Sequence, residues 1–285
     1  MNLMDKREVQ LILKQLKIIP NKKLGQNFLT DKNIVNKVIS FSELSYDDII
    51  LEIGPGLGAL TEELVKMVKR IYSIEIDHRL YSYLNKKFSN FNNIEIIHGN
   101  ILELEIPFHT KVVSNIPYSI TGPILEKIFY KKEPPIGVLI IEKSIADRIF
   151  TSENYKNFSR ISIGTNAFIN PVSKLTISRM SFYPIPKISL SLIKIIPNEQ
   201  LNPFLMEKDS IDFFLKFIAG IMPYKNKNIV NALDLYFKTL KRNRYTKEEI
   251  LMILQKNNYE NKKLFSFKIE EFIEISKLFY SLKKN

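Results

Sequence analysis

The stretch IILEIGPGLG, residues 49–58, runs from an apolar segment into three glycines at every second position. Ile49–Gly54 reads as a buried strand, and the pattern LGALTEELVKMV opens a helix at Leu57. Gly54, Gly56 and Gly58 let the backbone turn tightly between the two and approach a ligand without Cβ obstruction. The spacing is G-x-G-x-G, not the G-x-G-x-x-G of a dinucleotide fingerprint, so an adenosine-type ligand fits better than a pyrophosphate. Glu52 argues the same way. A carboxylate beside the loop repels a phosphate and suits a cation.

Outward from this loop, strands and helices alternate to about residue 150. Ile71–Asp77, Ile94–Asn100, Lys111–Ile116 and Gly137–Glu142 are strand candidates, and RLYSYLNKKF from Arg79 is a helix. Alternation of this kind predicts βαβ units and a largely parallel sheet. KLTISR (174–179) and ISLSLIKII (188–196) flank the Pro-rich step SFYPIPK, too short for a parallel crossover, which predicts an antiparallel pair at the sheet edge. Near Pro197 the strand rhythm stops and three or four helices follow. The expected division is an α/β domain over 1–196 and a small all-helical domain over 197–285. Residues 222–244 carry six Lys/Arg against one Asp, a basic patch or a solvated helix face.

Composition bounds the function. The 285 residues are 45% hydrophobic and 25% charged, as in soluble globular proteins, and no apolar run is long enough to span a membrane. The N-terminus meets charges early and lacks a small-residue cleavage site, so a cytoplasmic protein is expected. Without cysteine there are no disulfides or thiolate metal sites, and three scattered histidines offer no metal spacing. The net charge of +12 suggests a polyanionic partner, most simply a nucleic acid. A bias towards Lys, Ile and Asn would raise the charge by itself.

Glu75 ends the strand after the loop, where a carboxylate can accept both hydroxyls of a ribose, or simply lie at the surface. Asp77 and His78 read as solvated loop. The glycine loop and this acid together resemble the class I S-adenosylmethionine-dependent methyltransferases, a Rossmann-like fold whose cofactor carries a positive sulfonium.

In KVVSNIPYSI (111–120), Asn115 and Tyr118 arrive where a buried strand should stop. An Asn-Pro turn accounts for them equally well. As a site, the Asn115 side-chain oxygen and a carbonyl near Ile116 would accept the hydrogens of an aromatic amine, stabilising the charge that grows as a methyl group arrives. Pro117 stiffens the turn. Tyr118 would stack on the base, worth about 1–3 kcal/mol.

With KKLGQNFL (22–29) and SFYPIPK (181–187), the motifs EIGPGLG, IEID and NIPY resemble, in order, the rRNA adenine N6-dimethyltransferase family from about residue 22 to 197. The resemblance implies that residues 1–30 close the cofactor site through Gln26, Asn27 and Leu29. It sets Gly54 and Gly56 against S-adenosylmethionine, Glu75 on its ribose beside Ile76, and Asn100 and Ile101 at its base. It sets Phe182 on the target adenine opposite Tyr118. Asn100 stands where the family usually has Asp, Glu142 where small-subunit enzymes carry Gln, and Ser159 where Gly is typical. NKKLGQNFLTDK, FSRISI and MPYKNKNIVNAL resemble the small-subunit enzymes more than the Erm resistance enzymes. The implied activity is dimethylation of N6 of adenines in small-subunit rRNA, without a metal, by a monomer acting on the pre-ribosomal small subunit through its basic helical domain. An Erm-like enzyme of large-subunit rRNA and a non-catalytic RNA-binding assembly factor are the alternatives. A nicotinamide dehydrogenase is disfavoured by the glycine spacing.

Overall fold

The computed structural model describes residues 6–21, 24–150, 159–240 and 245–284. Lys22 and Lys23 of the KKLGQNFL motif, residues 155–158 of YKNFSRISI and 241–244 of the basic stretch lie outside the described residues.

In chain order, the first elements are α1 (Lys6–Gln15), β1 (Phe28–Leu29), α2 (Lys32–Ser42), β2 (Ile49–Ile53), α3 (Thr61–Leu64) and β3 (Arg70–Glu75). Then come α4 (His78–Lys87), β4 (Ile94–His98), β5 (Lys111–Asn115), α5 (Thr121–Phe129), β6 (Ile136–Glu142) and α6 (Lys143–Ile149). The strands order as β4-β3-β2-β5-β6, all parallel. Burial runs nearly unbroken through β2, β5 and β6, which are covered on both faces, and in β2 and β6 most of the residues are apolar. Helix starts are set locally. Asp31 and Asp77 accept the backbone N–H of Asn33 and Arg79, capping α2 and α4.

The expected edge pair is present. After α7 (Arg160–Phe168) and β7 (Ile169–Ile177), the two-residue β8 (Phe182–Tyr183) leads to β9 (Leu190–Pro197). β9 runs antiparallel to β6, and β7 antiparallel to β9 completes the seven-stranded sheet. β8 leaves that sheet and pairs with β1, Leu29 opposite Phe182. The helix expected from Leu57 is shorter than its pattern. The glycine turn extends through Gly58 (φ +82°), so regular helix begins only at Thr61.

The chain divides into two compact units. The first holds residues 1–129, 133–147 and 169–197; the second holds 130–132, 148–168 and 198–285. The second unit thus takes two segments that the sequence reading assigned to the 1–196 domain. α7 is buried on nearly every side, with Tyr130 stacked on Phe168 at 5.5 Å and its hydroxyl 2.8 Å from Thr165 Oγ1. The remaining helices are α8 (Lys208–Ile221), α9 (Ile229–Thr239), α10 (Lys247–Lys256) and α11 (Ile269–Lys284). Their core is aromatic, including the fully buried Phe214, Phe217 and Phe272. A Thr246/Glu249 capping box starts α10. Among the described residues, no helix is long and apolar enough to cross a membrane.

Candidate active site

From β2 the chain proceeds outward to β3 and β4, then returns to β5 on the other side of β2. Open α/β sheets bind ligands at such a reversal, beyond the carboxyl ends of the strands. A cleft lies there, a concave place of the kind small molecules occupy in such sheets. Its lining includes Gln26, Asn27, Gly54, Gly56, Glu75, Ile76, Asn100, Ile101, Asn115 and Pro117. Residues from four separate motifs therefore share one cavity.

The loop's conformation demands its glycines. Gly54 and Gly56 have φ of +64° and +61°, and a Cβ on Gly56 would stand 3.1 Å from the Phe28 ring. Glu75, 4% exposed, closes the cavity floor. Its Oε1 accepts from Asp77 N–H at 2.9 Å and its Oε2 from Gly56 N–H at 3.2 Å. Burial pushes its carboxyl up to about 7, against those two hydrogen bonds. Each oxygen keeps a lone pair for a further donor. A ribose diol supplies two such donors, and Ile76, Leu80 and Ile101 give the cavity the apolar walls a nucleoside base needs. These residues fit S-adenosylmethionine.

Glu52 is buried beside the loop and bonded to neighbouring elements. It is 1% exposed, and its Oε2 accepts from Thr61 Oγ1 at 2.7 Å and Ser73 Oγ at 2.8 Å. With Leu29 it lines a second, smaller cavity, which shares Asn27, Gly54, Gly56 and Asn115 with the cleft. Burial pushes it too to about 7, with the charge of Glu75 adding to the rise. A carboxyl so placed ties β2 to β3 and α3 through Oε2.

Asn115 is half-buried at the end of β5. Its Nδ2 donates to the Asn27 carbonyl at 3.2 Å, and its Oδ1 accepts from the Tyr118 hydroxyl at 3.3 Å. The first bond fixes which end of the amide is oxygen. Burial raises the Tyr118 phenol well above its ordinary value, so it remains a neutral donor. Ile116, fully buried, donates its N–H to Ile140 O at 3.1 Å and so aligns the turn with β6.

The expected aromatic bracket is not open. Phe182 has no exposed surface; it packs in the sheet core with Leu29, Ile177 and Leu190, and Tyr118 leans on the same cluster. Pairing Phe182 with Leu29 in the β1–β8 ladder aims the ring inward. Asn100 is also engaged locally. Its Oδ1 accepts from Leu102 N–H at 3.1 Å and its Nδ2 donates to Glu103 Oε1 at 2.7 Å.

Leu24, Gly25, Phe28, Leu80, Gly99 and Ile120 also line the cleft and were missed from the sequence. Gly25 carried a signal within the LGQNF motif: φ is +65°, and a Cβ there would lie 3.4 Å from Pro117 Cα and Tyr118 N. Asp77, read as solvated loop, is held by Arg79 and by Gln26 Nε2 at 3.1 Å.

The model of the family described as ribosomal RNA adenine dimethylase matches residues 19–275. The ribosomal RNA small subunit methyltransferase A of Natranaerobius thermophilus is 30% identical, over 99% of this chain and 98% of its own length. The probable ribosomal RNA small subunit methyltransferase A of Pyrococcus abyssi is 34% identical, over 93% of each chain. Among solved structures, a dimethyladenosine transferase from Plasmodium falciparum superposes with a TM-score of 0.72 at 24% identity, covering 90% of this chain and 98% of that one. The 23S rRNA methyltransferase ErmE gives 0.61 at 23% identity, covering 88% and 98%. Both structures share the fold. With a family match over most of its length and relatives at this identity along nearly all of it, the chain belongs to the ribosomal RNA adenine dimethylase family.

Proposed function

We propose that the protein dimethylates N6 of adenines in small-subunit ribosomal RNA. Family membership and the activity in the relatives' names support the reaction. One observation carries the residue assignment: Asn115 lies on the wall of the cleft that holds the glycine loop and Glu75, with its amide nitrogen tied to Asn27.

S-adenosylmethionine supplies an electrophilic methyl group on a sulfonium. Glu75 holds the ribose hydroxyls, and Gly54 and Gly56 let the backbone lie close beneath the ligand. Asn115 Oδ1 accepts an N6 hydrogen of the target adenine. An aromatic amine is a poor nucleophile because its lone pair is delocalised, and this contact favours the pyramidal, charge-bearing nitrogen of the transition state. Pro117 fixes the turn that holds Asn115 against the cleft. Once methylated, the nitrogen is acidic enough to pass its proton to Asn115 Oδ1, a neighbouring carbonyl or water. The work of these residues is positioning and electrostatics. The helical unit, with Lys225, Lys227 and Lys238 among its cations, holds RNA phosphates.

Labelled cofactor, the protein and unmethylated small or large ribosomal subunits test the reading. Dimethyladenosine mapped to small-subunit RNA is the expected result. Label in large-subunit RNA would point to the Erm-like reaction, and cofactor binding without transfer to a non-catalytic assembly factor.

A further inference from the structure

The cleft is roofed by a strap, residues 17–21 and 24–27, that joins α1 to β1. Ile18 anchors one end in an apolar cluster with Val9, Leu13, Phe28, Leu57 and Leu80. On either side of Ile18 the strap is held by polar groups at the start of α4, its cap Asp77 and Arg79. Arg79 Nη1 donates to Lys17 O at 2.8 Å, at a residue whose φ of +53° turns its carbonyl towards that guanidinium. Arg79 Nη2 lies 3.3 Å from Asp77 Oδ2, and the same oxygen accepts from Gln26 Nε2 at 3.1 Å. Gln26 Oε1 in turn accepts from Asn21 N–H at 2.8 Å, closing the strap on itself. One residue further, the Asn27 carbonyl receives Asn115 Nδ2.

We propose that Asp77 and Arg79 are positioning residues for methyl transfer. They latch the strap over the cofactor, and the latched strap holds the Asn115 amide nitrogen through the Asn27 carbonyl, so that Oδ1, which accepts from the Tyr118 hydroxyl, has a second lone pair for the adenine amine. This rests on the function proposed above. An amide has two nearly isosteric orientations, and only an external partner distinguishes them. The Asn27 carbonyl accepts and cannot donate, so it selects the nitrogen end. With the strap lifted, only the Tyr118 hydroxyl remains on the amide; a hydroxyl can donate or accept, so the selection weakens and a share of the amides present donors where an acceptor is needed. The latch therefore couples enclosure of the cofactor to readiness of the acceptor. Neither latch residue has to touch either substrate.

The test uses Arg79→Ala, Arg79→Lys and Asp77→Asn in the full chain. Arg79 is half exposed, so its loss leaves the core intact. Asn is also a good helix cap, so Asp77→Asn keeps the start of α4. Amide hydrogen exchange at Asn21, Leu24 and Gln26 reports the strap, and exchange in β2, β5 and β6 serves as control. In Arg79→Ala we expect strap protection to fall at least tenfold with the control strands unchanged. S-adenosylhomocysteine should bind about tenfold more weakly. The single-turnover methylation rate on small subunits should stay depressed at saturating cofactor. Arg79→Lys, which reaches only one of the two partners, should recover part of each effect, and Asp77→Asn should lie between. Wild-type strap protection in Arg79→Ala overturns the proposal. So does a wild-type single-turnover rate at saturating cofactor, because the latch would then hold cofactor without setting Asn115. If the unmutated protein transfers no methyl group to either subunit, the functional reading fails, while the exchange and ligand-binding results still decide the latch.

Discussion

Asn115 and Glu75 line the same cleft, yet their environments assign them separable tasks. Asn115 lines the cleft with its amide nitrogen on the Asn27 carbonyl and its oxygen on the Tyr118 hydroxyl, so in the proposed reaction truncation removes a transition-state contact and little ground-state binding. Asn115→Ala should lower the rate of methyl transfer about 10²–10³-fold, the usual loss for one such acceptor or donor. Its cofactor affinity should match the unmutated protein in titration calorimetry. Glu75→Ala should instead weaken cofactor binding first. The raised carboxyl of Glu75 also sets a pH dependence. Ribose hydroxyls donate to the charged form, so binding expels the proton held near neutrality, and cofactor affinity should rise from pH 6 to 8. Glu75→Gln should flatten that rise. For folding the sign is opposite. Glu52 and Glu75 are raised from 4.5 to about 7, so the folded chain retains protons that the unfolded chain releases in that interval. Their contribution to stability is complete below 4.5 and lost as pH climbs through 7. Ligand-free melting temperatures should decline over that interval, less so in Glu75→Gln.

At the scale of elements, the sheet edge and the helix contacts bear the constraints. β7 ends the sheet, and it is guarded by a register shift at Pro171 and by Lys174, which pairs with Asp147 at 2.8 Å; both discourage pairing with another chain. In the helical unit α8 approaches α9 through Gly220. A Cβ there would stand 2.1 Å from two carbons of the Tyr236 ring. Gly220→Ala should therefore cost about 1–3 kcal/mol, the penalty of overpacking a filled site. Urea unfolding followed by far-UV circular dichroism would measure it. S-adenosylhomocysteine should bind the variant as before, since the cleft belongs to the other unit. Sequence pattern foretold β2 to β6 because each strand carries its own short run of β-branched residues between turns or helices. It overstated α3, where the conformation of Gly58 rather than apolar spacing decided the start.

Over the whole molecule, what the sequence made legible was what is encoded within a dozen residues: the parallel strands, the glycine turn, Glu75, and the Asn115 turn. What it hid depends on distant partners. The resemblance set Phe182 on the target adenine, and nothing near it in sequence reveals its pairing with Leu29. Asp77 read as solvated because Gln26, which holds it, lies 51 residues earlier. The ties of Glu52 to Thr61 and Ser73 stayed hidden because those residues come from other elements. The charge of +12 is legible at this scale alone. Affinity for RNA should fall linearly on a log–log plot against salt, losing about 0.7–0.9 of slope for each phosphate no longer neutralised. Filter binding of the unmutated protein and of Lys225→Ala/Lys227→Ala would measure the difference.

The β1–β8 ladder has a further consequence, in the order of synthesis. Thr30 donates through both its N–H and its hydroxyl to Ser181 O, 151 positions downstream, and Asp31 accepts from the Ser181 hydroxyl at 2.7 Å. The ribosome releases the strap early, but its C-terminal anchor only when Ser181 and Phe182 emerge. A loop of that span closes late, because its ends meet only after the intervening sheet has drawn them together. The segment made first is thus among the last to be fixed. A nascent chain that already displays the whole glycine turn has no finished cleft until translation has passed residue 182.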